Sequence, residues 1–317
     1  MRGSWLASYR YFLKECCMTN IIYNDCTTMV IFVLIILGLC FGSFVNALVW
    51  RMHEQQAATN SGKPKSSKSK KSKSLAVNAS DMSIVTGRSM CPNCHHLLAT
   101  RDLIPVLSWI SLRGKCRYCN KKYDDTPTAE IATPFLFVFS YLYWPFVWSN
   151  MGALLFAIWL VIVVGFVALI IYDIRWRILP NRIVFPLFLL ALVYVFLLTA
   201  VYGGGLDTIL SSFYGLLIGG GIFYAIFQFP GKELIGGGDV KLGAVLGLLV
   251  GGPWPALLML FTASCLGTLF ALPSLITGKA NWGRKISFGP FLIAATIIVY
   301  LFGASIITWY ERLIGLG

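Results

Sequence analysis

The sequence predicts an all-α polytopic membrane protein of about eight transmembrane helices, with a small cytoplasmic four-cysteine domain between the first and second. Three observations predict it. Of 317 residues, 57% are apolar and 12% charged, and the mean hydropathy is +0.73. Apolar runs long enough to cross a bilayer, about 20 residues each, recur along most of the chain. Two CxxC pairs fall in its one long polar interval. A soluble domain carries about 25% charged residues, so a single water-soluble enzyme is excluded and the lipid bilayer is the main solvent. The formal net charge of +13 is concentrated in a few segments. Nothing here offers a soluble groove-reading domain, so nucleic acid is not an expected partner.

Residues 1–27 form an N-terminal tail on the non-cytoplasmic side, and 28–50 the first span. That run is too long and too far from the start for a cleavable h-region, and it reads as a signal anchor. Residues 51–130 are polar and include a Lys/Ser tract at 63–74 that has no apolar face and reads as a solvated linker. A tether to anionic headgroups is the alternative. Residues 131–317 hold seven further apolar segments, near 131–149, 152–173, 182–202, 206–230, 239–252, 254–277 and 288–310. The sixth of the eight is short, Gly-rich and opens on Asp239 and Lys241; a seven-span chain with that segment re-entrant is the alternative. With 51–130 in the cytoplasm, alternation places 22 of the 26 Lys and Arg on the cytoplasmic side, as the positive-inside rule requires.

Cys91-Pro-Asn-Cys94 and Cys116-Arg-Tyr-Cys119 are separated by 21 residues. Four thiolates at this spacing close a tetrahedral zinc shell within a module of about 88–125. A reducing cytoplasm disfavours disulfides there. A saturated sulfur shell leaves no open coordination position, so this zinc is structural. His95 and His96 read as exposed loop residues. Cys16, Cys17 and Cys26 lie in the outer tail, where they can oxidise, and Cys40 and Cys265 read as apolar packing residues.

Two acids remain at the cytoplasmic edges of later spans. Asp173 ends the third, in LIIYDIRWRILPN, and Asp239 begins the sixth, in LIGGGDVKLG. Carboxylates near hydrocarbon usually face protein or a water cavity. An ion pair with Arg175 or Arg177 would explain Asp173 alone, and a helix first-turn acid would explain Asp239 alone. Gly236, Gly237 and Gly238 shift the balance, because they leave room for another chain to approach the acid. Two facing carboxylates that share a proton can activate water against a peptide bond.

These residues resemble the type IV prepilin peptidase family of GxGD membrane aspartyl proteases. Residues 236–241, GGGDVK, are similar to its GxGDxK core, and Asp173 with Pro180 to its D-x6-P element. Gly42, Ser43, Phe44, Val45 and Asn46, followed by Arg51, resemble its GSFLN…R stretch. Residues 91–119 are similar to its cysteine domain, including Ile104, Pro105, Ser108 and Trp109. Pro127 with Glu130, and Phe288 with Gly289 and Pro290, resemble later elements in the same order. The resemblance implies a peptidase of the bacterial inner membrane that removes the basic leader of type IV prepilins or pseudopilins at the cytoplasmic face. It also implies N-methylation of the new N-terminus with S-adenosylmethionine. Asp173 and Asp239 would be catalytic, Gly236, Gly238 and Lys241 would shape the active-site loop, and Cys91, Cys94, Cys116 and Cys119 would hold zinc. Gly42, Ser43, Asn46 and Arg51 would be linked to methyl transfer, and Glu130 to substrate contact. Apart from the resemblance, Glu130, Asp124 and Asp125 are the local acids available to recognise a basic leader.

The chain departs from the pattern at Asn181 and Arg175, where the family usually has acids, and it lacks the Pro usual after the arginine element. A peptidase without methyl transfer is one alternative. A transporter using the two Asp as ion ligands is another, but the acids lie at one face and no internal repeat supports it. A non-catalytic assembly protein recruiting partners through its zinc module, or a degenerate family member, is the third; both aspartates being present argues against degeneracy.

Overall fold

The structure, a computed structural model, describes residues 22–60, 89–91, 93–94, 96–122, 127–146, 148–228, 236–276 and 287–315. Among these the protein is helical: α1 (Ile22–Asn60), a 3-10 turn (Thr100–Leu103), α2 (Leu107–Ser111), α3 (Thr128–Leu142), α4 (Asn150–Trp176), α5 (Asn181–Tyr202), α6 (Gly205–Gln228), α7 (Gly237–Val250), α8 (Pro253–Ile276) and α9 (Gly289–Leu313). Helices α1, α4, α5, α6, α8 and α9 are long and apolar enough to cross a bilayer. Helices α3 and α7, with 15 and 14 residues, correspond to the second and sixth expected spans. At 1.5 Å per residue each covers a little over 20 Å, short of a hydrocarbon core of about 30 Å. The Lys/Ser tract, Cys16, Cys17, the side chain of Cys26, His95, Asp124, Asp125, Lys232, Lys279, Arg284 and Lys285 lie outside the described residues.

Local chemistry sets the ends. Helix α1 runs beyond the expected 28–50 because residues 51–60 contain neither Gly nor Pro and include good helix formers such as Met52, Glu54 and Gln55. Ser149 caps α4 by accepting from the Gly152 amide at 3.0 Å. Arg177 ends α4 in the left-handed region (φ 55°), and Pro180 then starts α5. Gly203 and Gly251 close α5 and α7 at φ 71° and 78°, a conformation that glycine adopts without steric cost.

The chain divides into two compact units, Met1–Ile31 with Phe139–Gly317, and Phe32–Val138. In the second, α1 crosses α3 at two glycines. A side chain at Gly38 would collide with Pro134, and one at Gly42 with the backbone of Ala129 and Glu130. The cysteine module is two matching knuckles. Met90 bridges Leu97 around the first CxxC, and Lys115 bridges Lys122 around the second. The Cys91 amide donates to the His96 carbonyl at 3.0 Å, and the Cys116 amide to Lys121 at 2.9 Å.

In the first unit, α6 and α7 meet through glycine. Gly215 and Gly219 face Gly247 and Gly243, so close that a Cβ on any of the four would strike backbone of the other helix. Such contact lets packing and dispersion hold two helices together in lipid, where the hydrophobic effect gives little. Towards the other ends of α4 and α9, away from Asp173 and Gly289, Trp159 stacks on Tyr300 at 4.0 Å, Tyr300 hydrogen-bonds Tyr194, and the Trp159 indole donates to Ser140 at 3.1 Å.

Candidate active site

Asp173 lies in the last turn of α4 and is buried, 5% exposed. Its carboxylate accepts from the Ser287 hydroxyl through Oδ2, and the Gly289 amide also faces it. Ser287 and Gly289 lead into α9, so the acid sits between the carbonyl end of one helix and the amide end of another. Gly289 has no side chain because there is no room: a methyl there would meet Asp173 Oδ2 and come within 3.6 Å of Leu242 on α7.

Asp239 occupies the third position of α7, after its N-cap Gly236. Its amide donates to the Gly236 carbonyl at 3.0 Å, and its carboxylate reaches back to the Gly236 amide. The second contact is the return half of a capping box, in which a third-position acid bonds the N-cap amide; glycine has no side chain to supply the other half, and the acid sits in the first turn as expected. That placement goes together with a second property, since Asp239 and Asp173 lie within electrostatic range of each other. Gly238 packs against Leu179, where a Cβ would come within 3.0 Å. Exposed Lys241 donates to Asn181 Oδ1 at 3.0 Å, tying the start of α7 to the start of α5. The loop that follows Asp173 and the turn that carries Asp239 are therefore held against one another. Gly236 itself is exposed, and Asp239 is half-buried.

The Phe32–Val138 unit holds a different site. Cys91, Cys94, Cys116 and Cys119 bring their sulfur atoms within 4.8 Å of one another, as a metal ligand set requires. Burial pushes the Cys91 thiol up to about 12 in the absence of a metal, and its neighbouring sulfurs add to this. Beside the module is a cleft of about 180 Å³, with Ser43, Asn46, Trp50 and Arg51 of α1 on one wall. Asp102, Trp109, Lys115 and Glu130 are on the other. Asn46 Oδ1 is buried there without a hydrogen-bond partner, in want of a donor from a ligand or water. Asp102 is fixed by Arg117 at 2.8 Å and Tyr118 at 3.3 Å. Burial opposes its ionisation, but Arg117, a backbone bond at Ala99 and the Tyr118 hydroxyl together hold the carboxyl below its ordinary range. Gly114 (φ 67°) passes under the Trp109 indole, where a Cβ would come within 3.2 Å of the ring. Gly42 lies apart from the cleft lining, at the crossing with α3.

The bacterial peptidase A24 N-terminal domain matches residues 36–144, and the type IV leader peptidase family matches 154–272. A prepilin leader peptidase/N-methyltransferase of Bacillus subtilis (strain 168) is 30% identical over 236 residues, 73% of this chain and 88% of the relative. This chain belongs to the type IV leader peptidase family. It is an enzyme of the peptidase class and a multi-pass membrane protein. The prepilin leader peptidase/N-methyltransferase of Pseudomonas aeruginosa PAO1 is 30% identical over 296 residues, 89% of this chain and 93% of the relative. A type 4 prepilin-like proteins leader peptide-processing enzyme of Escherichia coli O78:H11 is 31% identical over 273 residues, 83% and 91% of the two chains. No solved structure matches.

The two family matches divide the chain much as its two sites do. The aspartates and their glycine loop belong to the leader peptidase match, and the cysteines and the cleft to the N-terminal match. Sequence reasoning missed Ser287, whose signal is a lone hydroxyl immediately before the Phe288-Gly289-Pro290 element. It also missed Asp102, the one acid between the two CxxC pairs. Glu130 was expected at the substrate. Its Oε2 accepts from the Val106 amide at 2.6 Å, while the residue also lines the cleft.

Proposed function

We propose that this leader peptidase family member is an aspartyl endopeptidase that removes the leader of type IV prepilins or pseudopilins at the cytoplasmic face of the bacterial inner membrane. We propose further that it methylates the new N-terminus. The observation that carries the first reading is the convergence of Asp173 and Asp239 from opposite helix ends, one buried and the other half-buried beside exposed Gly236. Two carboxylates that interact electrostatically in a largely buried site can hold one proton between them. The ionised member takes a proton from water as the water oxygen bonds to the peptide carbonyl carbon. The protonated member gives its proton to the carbonyl oxygen. Collapse of the resulting gem-diol breaks the C–N bond, and the amine leaves with a proton returned through the dyad. The pair acts as one coupled acid and base.

Ser287 and the Gly289 amide hold Asp173 in place for this chemistry, and exposed Gly236 beside half-buried Asp239 leaves room for an extended substrate backbone. The positive-inside distribution of Lys and Arg supports the cytoplasmic placement. The sulfur cluster suits structural zinc, held by Cys91, Cys94, Cys116 and Cys119, which would tie the two knuckles together.

The cleft supports the second reading. S-adenosylmethionine, when bound, supplies an electrophilic methyl group. The lining suits it: buried Asn46 Oδ1 lacks a donor, Arg51 and Lys115 offer cations for a carboxylate, and Trp109 offers a flat apolar face. Here Glu130 would hold the cationic N-terminal amine of the cleaved pilin.

Mass spectrometry of a co-expressed prepilin tests both readings. Asp173→Asn and Asp239→Asn should each leave a membrane-inserted protein and an uncut prepilin. Asn46→Ala should leave cleavage intact and remove the added methyl. Leader loss in either aspartate variant at the wild-type rate would overturn the dyad.

A further inference from the structure

The 3-10 turn and α2 carry a compact apolar tip that the proposed chemistry does not use. Leu103, Ile104, Leu107 and Ile110 are 39%, 47%, 65% and 59% exposed. Four large aliphatic side chains turned outward on so short a segment are unusual for a polar module. The turn is built under strain. Val106 has φ 59°, a conformation that a β-branched residue adopts only when its surroundings enforce it. What enforces it is Glu130, whose carboxylate accepts from the Val106 amide at 2.6 Å.

That bond also fixes where the tip lies. Glu130 belongs to the first turn of α3, the short apolar helix that follows the module. The tip is therefore held at the level of the polar end of α3, where a chain entering lipid meets the headgroups. Beyond Glu130 on α3, Ile131 and Phe135 are 58% and 66% exposed and continue the apolar surface. Exposed Arg101 and Arg113 bracket the tip along the chain. An apolar apex with cations beside it is the pattern of an element that lies in a membrane interface and meets anionic phosphates.

The geometry points to a bilayer-inserting wedge: Leu103, Ile104, Leu107 and Ile110 sit in the headgroup–acyl boundary of the inner leaflet, with Arg101 and Arg113 on anionic headgroups. The wedge pins the cysteine module to the membrane surface through Glu130. This goes beyond the readings of the two sites and stands without them.

The test uses the full chain in vesicles of phosphatidylethanolamine and phosphatidylglycerol. The photo-crosslinking residue p-benzoylphenylalanine replaces Leu107 or Ile110, with Phe135 as the lipid-facing reference and exposed Asn93 of the first knuckle as the aqueous one. After irradiation, lipid adducts at positions 107 and 110 are expected within about threefold of those at 135, and at least about tenfold above those at 93. Adduct yields at 107 and 110 no higher than at 93, or adducts to polypeptide in place of lipid, would overturn the wedge. Because both positions are exposed, the substitutions leave the module's packing alone, and an unchanged thermal melting curve of each variant verifies this.

Discussion

Replacing Gly289 by alanine places a methyl group 3.3 Å from Asp173 Cγ, and nearer still to the Oδ2 that Ser287 holds. Neither side can yield easily. The methyl is fixed to the first turn of α9, and Leu242 lies within 3.6 Å behind it. The carboxylate must therefore swing by about 1 Å, a displacement that costs roughly 100-fold in rate when the reacting geometry depends on it. The expected stability change is small: overpacking costs about 1–3 kcal/mol, and the gain from removing a helical glycine offsets up to about 1 kcal/mol of it. Initial rates of prepilin cleavage in lipid nanodiscs, with thermal melting alongside, measure both. Gly267→Ala is the control, since its nearest atoms, on Phe291 and Phe288, stand at ordinary distances of 3.7–3.9 Å. Gly267→Ala should cleave normally. Cleavage by a folded Gly289→Ala within about threefold of wild type would refute the claim that Asp173 must stay where Gly289 allows it.

Ser287→Ala should lower cleavage by roughly 10- to 100-fold, the worth of a hydrogen bond to a charged group, with an altered pH–rate profile; an unchanged profile and rate would remove Ser287 from the site. Gly247→Ala drives a Cβ into the backbone at Gly215, whereas Gly221 has nothing within 4 Å. Gly247→Ala should therefore destabilise the fold by about 1–3 kcal/mol, and Gly221→Ala should not destabilise it and should add up to about 1 kcal/mol, as read by unfolding in mild detergent. Zinc loading should weaken steeply on acidification, because binding must displace protons from thiols such as Cys91, which burial pushes up to about 12. Lower pH favours the protonated, metal-free form, so affinity in a chelator competition should fall by at least about tenfold per unit from pH 8 to 6. A flat response would show that the thiols are not the ligands.

Much of this was legible because the signals are local. The CxxC knuckles announce themselves by spacing, and each folds as its own small bridge around the cysteines. The helix ends follow from Ser149, Pro180, Gly203 and Gly251, whose effects act within one turn. Asp239 was legible twice over, as a first-turn acid and as part of a glycine-rich motif, and the structure holds both. Contacts distant in sequence were not legible. Nothing in residue 287 alone says that its hydroxyl will meet residue 173, or that Glu130 will be drawn to a backbone amide beside a strained Val106.

By itself the amino-acid order determined that this chain lives in a bilayer, which parts are helical, and which four sulfurs form a set, because hydropathy and spacing are properties of short stretches. Only the folded chain decided which polar groups face one another. Close crossings at Gly38, Gly42, Gly243 and Gly247 set how near the helices come. A carboxylate's partners are whatever those crossings leave within about 3 Å, a distance at which hydrogen bonds and charges act and which no linear pattern encodes.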